Sequence, residues 1–466
     1  MHLAWDISEL VDLICESSSK ASLASLAQTS SRFREPALDV LWREMDSAVP
    51  LLKCFPPDSW EISTLDDQPF SFNFTRIIRA NDWDRVRLHG PRIKEIIFDG
   101  RGLYLGVNVA DTLQSALCGR HMLPELRKMT WRMGEFPFRH FTSFLGPIAT
   151  KILVNLDSNP LYMQKLWNLA LRTPPITELT ISGTGYRYTS DSSFEANFVR
   201  RLEHLRLIDI QVFEPLTIHH IANLRDLESL SLALHTLPPD AAAPAIPGAF
   251  PALRRLKLWS YNTVWPTYIV NLLRRAPLTE ISLIFGPWVE HGEDEAWVAF
   301  TRLNQAIHTH CSASTLTSFR AEYGDWDGRI PSSTVDIMRP LCAFYNLRSL
   351  VIRGARIDLT DLELRELVEA WSRLESLDLG SGSAVGPVEP PSLTLSCLSI
   401  VAAYCPALVE LSLEMDVGVI PALNTSEVAQ SNLRKLRLTS SSPAVGAYIA
   451  RIFPRIETIE ATVSGD

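Results

Sequence analysis

Apolar residues recur along this chain as apolar-x-x-apolar-x-apolar, with leucine the commonest member. Four uninterrupted copies are Leu202-Glu-His-Leu205-Arg-Leu207, Leu227-Glu-Ser-Leu230-Ser-Leu232, Leu253-Arg-Arg-Leu256-Lys-Leu258 and Leu278-Thr-Glu-Ile281-Ser-Leu283, starting 25, 26 and 25 residues apart. The alternation at the end of each copy has the period of a strand with one buried face. With Ile, Met, Phe and Ala allowed, further copies start at Ile93, Leu126, Ala149, Ile176, Leu316, Leu347, Leu374, Leu408, Leu433 and Ile456. That makes about fourteen units with a mean step of about 28 residues, the period of a leucine-rich repeat that carries a helix on its outer side.

Between the copies the apolar residues fall three or four apart, which predicts helices over Met163 to Arg172, Tyr268 to Arg275, Ala296 to His308, Asp361 to Trp371 and Leu395 to Ala403. Pro91, Pro124, Pro174, Pro251, Pro406 and Pro454 each stand two residues before the next copy, where proline ends a helix and favours extended backbone. The fold class is therefore α/β: a leucine-rich-repeat solenoid with a curved parallel sheet over residues 93–466. Its leucines face the helices and its x positions line the concave side. Trp288 to Glu295 and Ser381 to Ser392 read as loops on one face of the stack.

The first 46 residues change pattern. Asp6 to Cys15, Ser22 to Thr29 and Glu35 to Glu44 predict three short helices, with Asp6 and Ser22 as N-caps. Residues 47–92 mix apolar and charged positions and read as a packed connector and N-terminal cap. A unit of forty-odd residues buries little surface alone and borrows stability from a partner.

Composition narrows the chemistry. The formal charge of -9 gives no basic footprint for phosphate-backbone binding, so nucleic acid is not an expected partner. The start lacks a basic secretory region, no run is long enough to span a membrane, and seven scattered cysteines form no Cys-x-x-Cys pair. Together these predict a reduced chain in cytoplasm or nucleus, with the sequons at Asn73 and Asn424 as chance matches. Leu379-Gly-Ser-Gly-Ser-Ala-Val-Gly386 runs into Pro387 rather than a helix, so it reads as a loop and not a dinucleotide site. His308, His310 and Cys311 gather three ligand types at a helix end without a second cluster, and His219-His220 reads as surface or capping. No nucleophile or phosphate-loop motif occurs. A chain that catalyses nothing and holds no cofactor or metal is the expectation.

Ile7-Ser-Glu-Leu-Val-Asp-Leu-Ile-Cys15, Ala21-Ser-Leu-Ala-Ser-Leu-Ala-Gln-Thr-Ser-Ser-Arg-Phe33 and Glu35-Pro-Ala-Leu-Asp-Val-Leu-Trp-Arg-Glu44 resemble the F-box of fungal, mushroom-type F-box proteins with leucine-rich repeats. Pro50-Leu-Leu-Lys-Cys-Phe-Pro-Pro-Asp-Ser-Trp60 continues the resemblance, which covers residues 1 to about 100. It implies an F-box at residues 1–46 that docks a Skp-type adaptor and, through it, cullin and RING subunits, while the repeats hold a protein target. The implied adaptor surface comprises Ile7, Glu9, Leu10, Leu13, Ile14, Pro36, Leu41 and Trp42. Most F-boxes open with Leu-Pro or Ile-Pro; Ser8 stands here in place of the proline, losing a pre-set first helical turn.

One further constellation stands out. Trp259, Tyr261 and Trp265 follow one strand, Phe285 and Trp288 the next, and Tyr323 and Trp326 the third, beside Arg255, Lys257 and Arg320. Aromatic anchors beside cations suit an acidic or phosphorylated target segment; the same residues also suit a ladder that packs the loops together. The expected function is that of a substrate-recognition subunit of an SCF-type (Skp-cullin-F-box) ubiquitin ligase. The alternative is a repeat scaffold that binds protein without a ligase.

Overall fold

The structure, a computed structural model, describes residues 7–63, 70–99, 104–117, 120–132, 141–155, 175–182, 198–212, 215–234, 248–273, 276–286, 293–323, 332–333, 335–354, 356–380, 391–421, 429–438 and 443–461. It is a leucine-rich-repeat solenoid of parallel strands and outer helices, divided into two compact units, Met1–Ile210 and Gln211–Asp466.

The first unit opens with three helices, α1 (Ser8–Glu16), α2 (Lys20–Thr29) and α3 (Ser31–Arg43). Ser19 caps α2 by accepting from the Ser22 backbone N–H, and Ser30 caps α3 through Arg32. Ser22 and Glu35 thus fall inside helices whose starts the pattern placed later, because serines upstream satisfy the free amides first. α1 begins after Ile7, its N-cap residue, with no side-chain cap; Asp6 lies outside the described residues. Parallel strands follow at Glu44–Met45, Glu95–Phe98, Lys128–Trp131, Lys151–Asn155, Glu178–Ser182 and Leu207–Val212, in that order. The Glu44–Met45 strand lies ahead of the fourteen expected copies and makes the end of α3 the entry into the sheet.

Between the helices and the repeats sits a separate small sheet. Trp60–Ser63 pairs antiparallel with Ser71–Phe74, which pairs with Tyr104–Leu105. Phe55 packs edge-on against Phe74 and Trp83, and Arg76 ties Asp58 (2.8 Å) to Asp82 (2.7 Å). The connector is a folded cap whose strands alternate too briefly to declare themselves in the sequence.

The second unit runs through parallel strands Ser229–Leu234, Arg255–Ser260, Glu280–Phe285, Ser318–Tyr323, Ser349–Arg353, Ser376–Asp378, Glu410–Ser412, Lys435–Leu438 and Thr458–Ala461. Helices cover one face: Val264–Leu272, Glu293–His310, Asp361–Glu369, Cys397–Tyr404 and Pro443–Ile452. Four of these match predicted helices to within a few residues; Met163 to Arg172 lies outside the described residues. Glu293 to Glu295, expected in a loop, open the 18-residue Glu293–His310 helix. Thr360 caps the Asp361–Glu369 helix in a reciprocal box with Glu363.

In the copies before the last, the first, fourth and sixth residues are buried and the strand begins at the third, as at Leu227, Leu230 and Leu232; in the last, Ile456 and Ile459 are half-buried. The second residue links units: Thr279 N–H donates to the Arg254 carbonyl (2.8 Å), Thr317 to Thr279 (2.9 Å), Arg348 to Thr317 (2.8 Å) and Glu375 to Arg348 (2.7 Å). Arg206 takes this place by donating to Thr177 (2.7 Å). The copy read as starting at Leu202 therefore starts at Leu205. The run Leu202 to Ile210 holds two overlapping registers three residues apart. The one that wins buries β-branched Ile208 and Ile210 and leaves Leu207 half-exposed on the open face.

Candidate functional site

The N-terminal helices close on a very small core. Val11, Cys15, Leu23 and Ala37 are buried, with Leu26, Ala27, Phe33, Val40 and Leu41 packed against them. Of the residues implied as an adaptor surface, Ile7 (48% exposed), Leu10 (38%) and Leu13 (60%) lie outward on α1, spaced one helical turn apart. Glu9 is also exposed; its own backbone N–H, and then the Ser8 hydroxyl at 3.1 Å, hold its carboxyl below the usual range. Ile14 and Pro36 are half-buried, and Pro36 sits inside α3. Leu41 leans on the small core.

Trp42 has a different position. Glu44 registers with Glu95 and Lys94 N–H donates to the Arg43 carbonyl (2.9 Å), so Trp42 occupies the first-residue place that Ile93 holds in the next unit. Its ring stacks on His89, centroids 4.5 Å apart and planes 21° apart. Beside that stack, Arg92 reaches back to the carboxylates of Glu35 and Asp39 on α3. Arg92 is 10% exposed at its side chain, and its hydrogen bond holds the Glu35 carboxyl below the usual range. The helical unit is thereby fastened to the connector through α3, and α1 is left outward. This fastening was not read from the sequence; the Arg92 to Glu35 distance in sequence hides it.

In the second unit the aromatic constellation separates into two groups. Trp265 and Phe285 are fully buried. Phe285 stacks on Tyr323 (5.2 Å, 18°), and Phe300 meets both rings edge-on at 6.1 and 5.5 Å. Burial of the Tyr323 hydroxyl drives its pKa well above the ordinary value. Phe285 and Phe300 belong to the core, and half-buried Tyr323 packs on both. Trp259 and Tyr261 remain half-exposed and meet edge-on at 4.6 Å. Gly286 makes room for them: a Cβ there would lie 2.8 Å from the Tyr261 ring and 3.2 Å from Trp259. Trp288 and Trp326 lie outside the described residues.

On the same open sheet face, Arg255 and Lys257 are exposed and neither forms an ion pair among the described residues. The register carries Lys257 through Ser282 to Arg320, two strands or about 10 Å away. Arg320 pairs with Glu322. Further along, Arg353 Nε donates to the buried Asp378 carboxylate (2.7 Å), and Arg437 and Lys435 converge on Glu460 at 2.9 and 3.0 Å. The unpaired cations thus cluster with Trp259 near the start of the second unit, and the later strands neutralise their own charges. The Arg353 and Asp378 pair escaped the sequence reading, although both stand at outward x positions.

His219 Nε2 lies 2.9 Å from the Tyr268 hydroxyl. His308 and His310 fall in the last turn of the long helix, and no group of three potential metal ligands occurs among the described residues. The Asn73 amide donates to Ser63 (3.0 Å) and Ser71 (2.9 Å); Asn424 and 381–390 are outside the described residues. No described helix is long and apolar enough to cross a membrane.

No protein-family model and no curated protein matches this sequence. Solved structures do match, among them a TLR13-ssRNA13 complex, at 12% identity and a TM-score of 0.36. The match covers 83% of this chain and 62% of that one, so the chain spans less than two thirds of its length. The strand register and the buried leucine positions, rather than this likeness, carry the fold assignment.

Proposed function

We propose that this chain is the substrate-recognition subunit of an SCF-type ubiquitin ligase. The observation that carries the reading is the outward stripe of Ile7, Leu10 and Leu13 at the start of a three-helix segment whose small core, among the described residues, holds four buried side chains. Such a stripe is an interface in want of a partner, and the resemblance of residues 7–44 to an F-box supports a Skp-type adaptor as that partner. Glu9 and Ile14 share α1 with the stripe and Leu41 packs on the small core, while Pro36 and Trp42 complete the surface that the resemblance implies. Cullin and RING subunits would follow through the adaptor, in cytoplasm or nucleus.

The repeats then hold the target. Arg255, Lys257 and half-exposed Trp259 and Tyr261 offer cations beside aromatic edges, which suits an acidic or phosphorylated segment. The chain itself transfers nothing; it raises the local concentration of a target lysine beside a charged enzyme. A second reading, a binding scaffold without a ligase, draws support from Ser8: α1 starts with neither proline nor a side-chain cap.

Capture on an immobilised Skp-type adaptor separates the two. The full-length chain is expected to bind and the Leu10→Glu, Leu13→Glu variant to fail, with unchanged thermal unfolding. Failure of the unaltered chain, or equal binding by the variant, overturns the ligase reading and leaves the scaffold.

A further inference from the structure

The first unit contains a cavity of about 570 Å³ between the Asp84–His89 helix, the end of the Val107–Leu117 helix and the segment after it. Its size falls in the range of small-molecule sites. Trp83, Val86 and Met122, all nearly buried, form the apolar floor. The wall is fixed before any ligand arrives. Trp83 is held edge-on against Phe55 at 5.0 Å, and Gly90 lies so close to the next segment that a Cβ there would stand 2.5 Å from the Met122 carbonyl oxygen.

The rim has the opposite chemistry. Arg87, Arg120 and His121 line the opening, and no aspartate or glutamate is among the described lining residues. In a chain with 53 acids against 44 lysines and arginines, a cavity with only basic ionisable groups is a local reversal of sign. Arg120 has no ion pair among the described residues. Arg87 has only Asp84, at 3.9 Å and with both side chains largely in solvent, a pair too weak to occupy the guanidinium. His121 Nδ1 lies 3.4 Å from the Leu145 carbonyl oxygen, which orients the ring at the rim.

We infer that this cavity binds a small amphipathic organic anion: a carboxylate or phosphate at the arginines, carried on an apolar ring or chain that covers Trp83, Val86 and Met122. The arginine forks match either anion bidentately, and the floor supplies affinity that a bare inorganic ion would not gain. The site shares no residue with either surface used in the proposed function.

Calorimetric titration of the full-length chain tests this with four probes: 2-naphthoate, 2-naphthyl phosphate, neutral 2-naphthol, and inorganic phosphate. At least one naphthyl anion is expected to bind saturably, the stronger of the two deciding between carboxylate and phosphate. 2-Naphthol and inorganic phosphate are each expected to bind about tenfold more weakly or worse. The Arg87→Gln, Arg120→Gln variant should lose about tenfold or more for the anions. Ser115→Trp, at an exposed lining position, should block binding without changing charge or thermal unfolding. Absence of saturable binding by both naphthyl anions at millimolar concentration overturns the inference. So does binding unchanged in either variant, or 2-naphthol binding as tightly as the anions.

Discussion

Trp42 and His89 stack face to face, 4.5 Å between ring centroids, one from the end of the third N-terminal helix and the other from the connector. The stack puts a titratable ring beneath the first rung of the repeat sheet. His89 is 8% exposed and its Nδ1 has no hydrogen-bond partner among the described residues. Burial first, then Arg92 and Arg85, holds its pKa below the ordinary 6.5.

Stability of the first unit should therefore depend on pH through this residue. The folded chain resists the proton that the unfolded chain accepts near 6.5, so the contribution of neutral His89 is intact above that value and declines as pH falls below it. The slope is at most about 1.4 kcal/mol per pH unit for one proton. His89→Phe keeps a ring against Trp42 and removes the titration. Urea midpoints measured by tryptophan fluorescence should fall less with acid in the variant, and parallel curves would refute the assignment.

Arg92 provides a second hold on the same joint. Arg92→Met deletes the bonds to Glu35 and Asp39, whose side chains are more than half exposed and so partly screened. The expected loss is about 1–2 kcal/mol. Arg92→Lys should recover only part of it, because a single ammonium cannot serve two carboxylates as a planar fork does. Denaturant midpoints of the three proteins read the order directly.

Ser8→Pro is expected to stabilise. Ile7 has φ -95° and ψ 108°, extended backbone that tolerates a following proline, and position 8 opens α1, where the missing N–H leaves no bond unmade. A gain of about 0.4–1 kcal/mol follows from the stiffer unfolded chain. Under the ligase reading, adaptor affinity rises as well. A lowered melting temperature would show that the Ser8 N–H has a role the geometry does not reveal.

The repeats are legible because apolar residues, most often leucine, return at the same three positions about fourteen times. Where the signal doubled, at Leu202 to Ile210, spacing alone could not choose between registers, and the backbone link from Arg206 to Thr177 decides. The aromatic residues were grouped by their place after each strand. Strand parity would have divided them: Phe285 and Tyr323 continue the inward series of Leu283 and Ala321, whereas Trp259 stands out of phase with Leu258. The Glu44–Met45 strand is two residues long and offered no period to detect.

That division has a measurable counterpart. Phe285→Ala opens a cavity beneath Tyr323 and Phe300 and should cost about 3–5 kcal/mol in the second unit. Trp259→Ala removes a half-exposed ring and should cost much less, with its effect appearing in target capture instead. Equal losses of stability from both would assign Trp259 to the core.

Glu44 pairs with Glu95, 51 residues on, whereas the other paired strands of the large sheet within each unit start 23 to 38 residues apart. On a ribosome supplying ~5–20 residues per second, the three helices wait roughly 3 to 10 s for the strand that receives them. During that interval Trp42 has no His89 to stack on, and Glu35 and Asp39 have no Arg92 to receive. The nascent chain is most vulnerable to chaperones and proteases at the end that is made first.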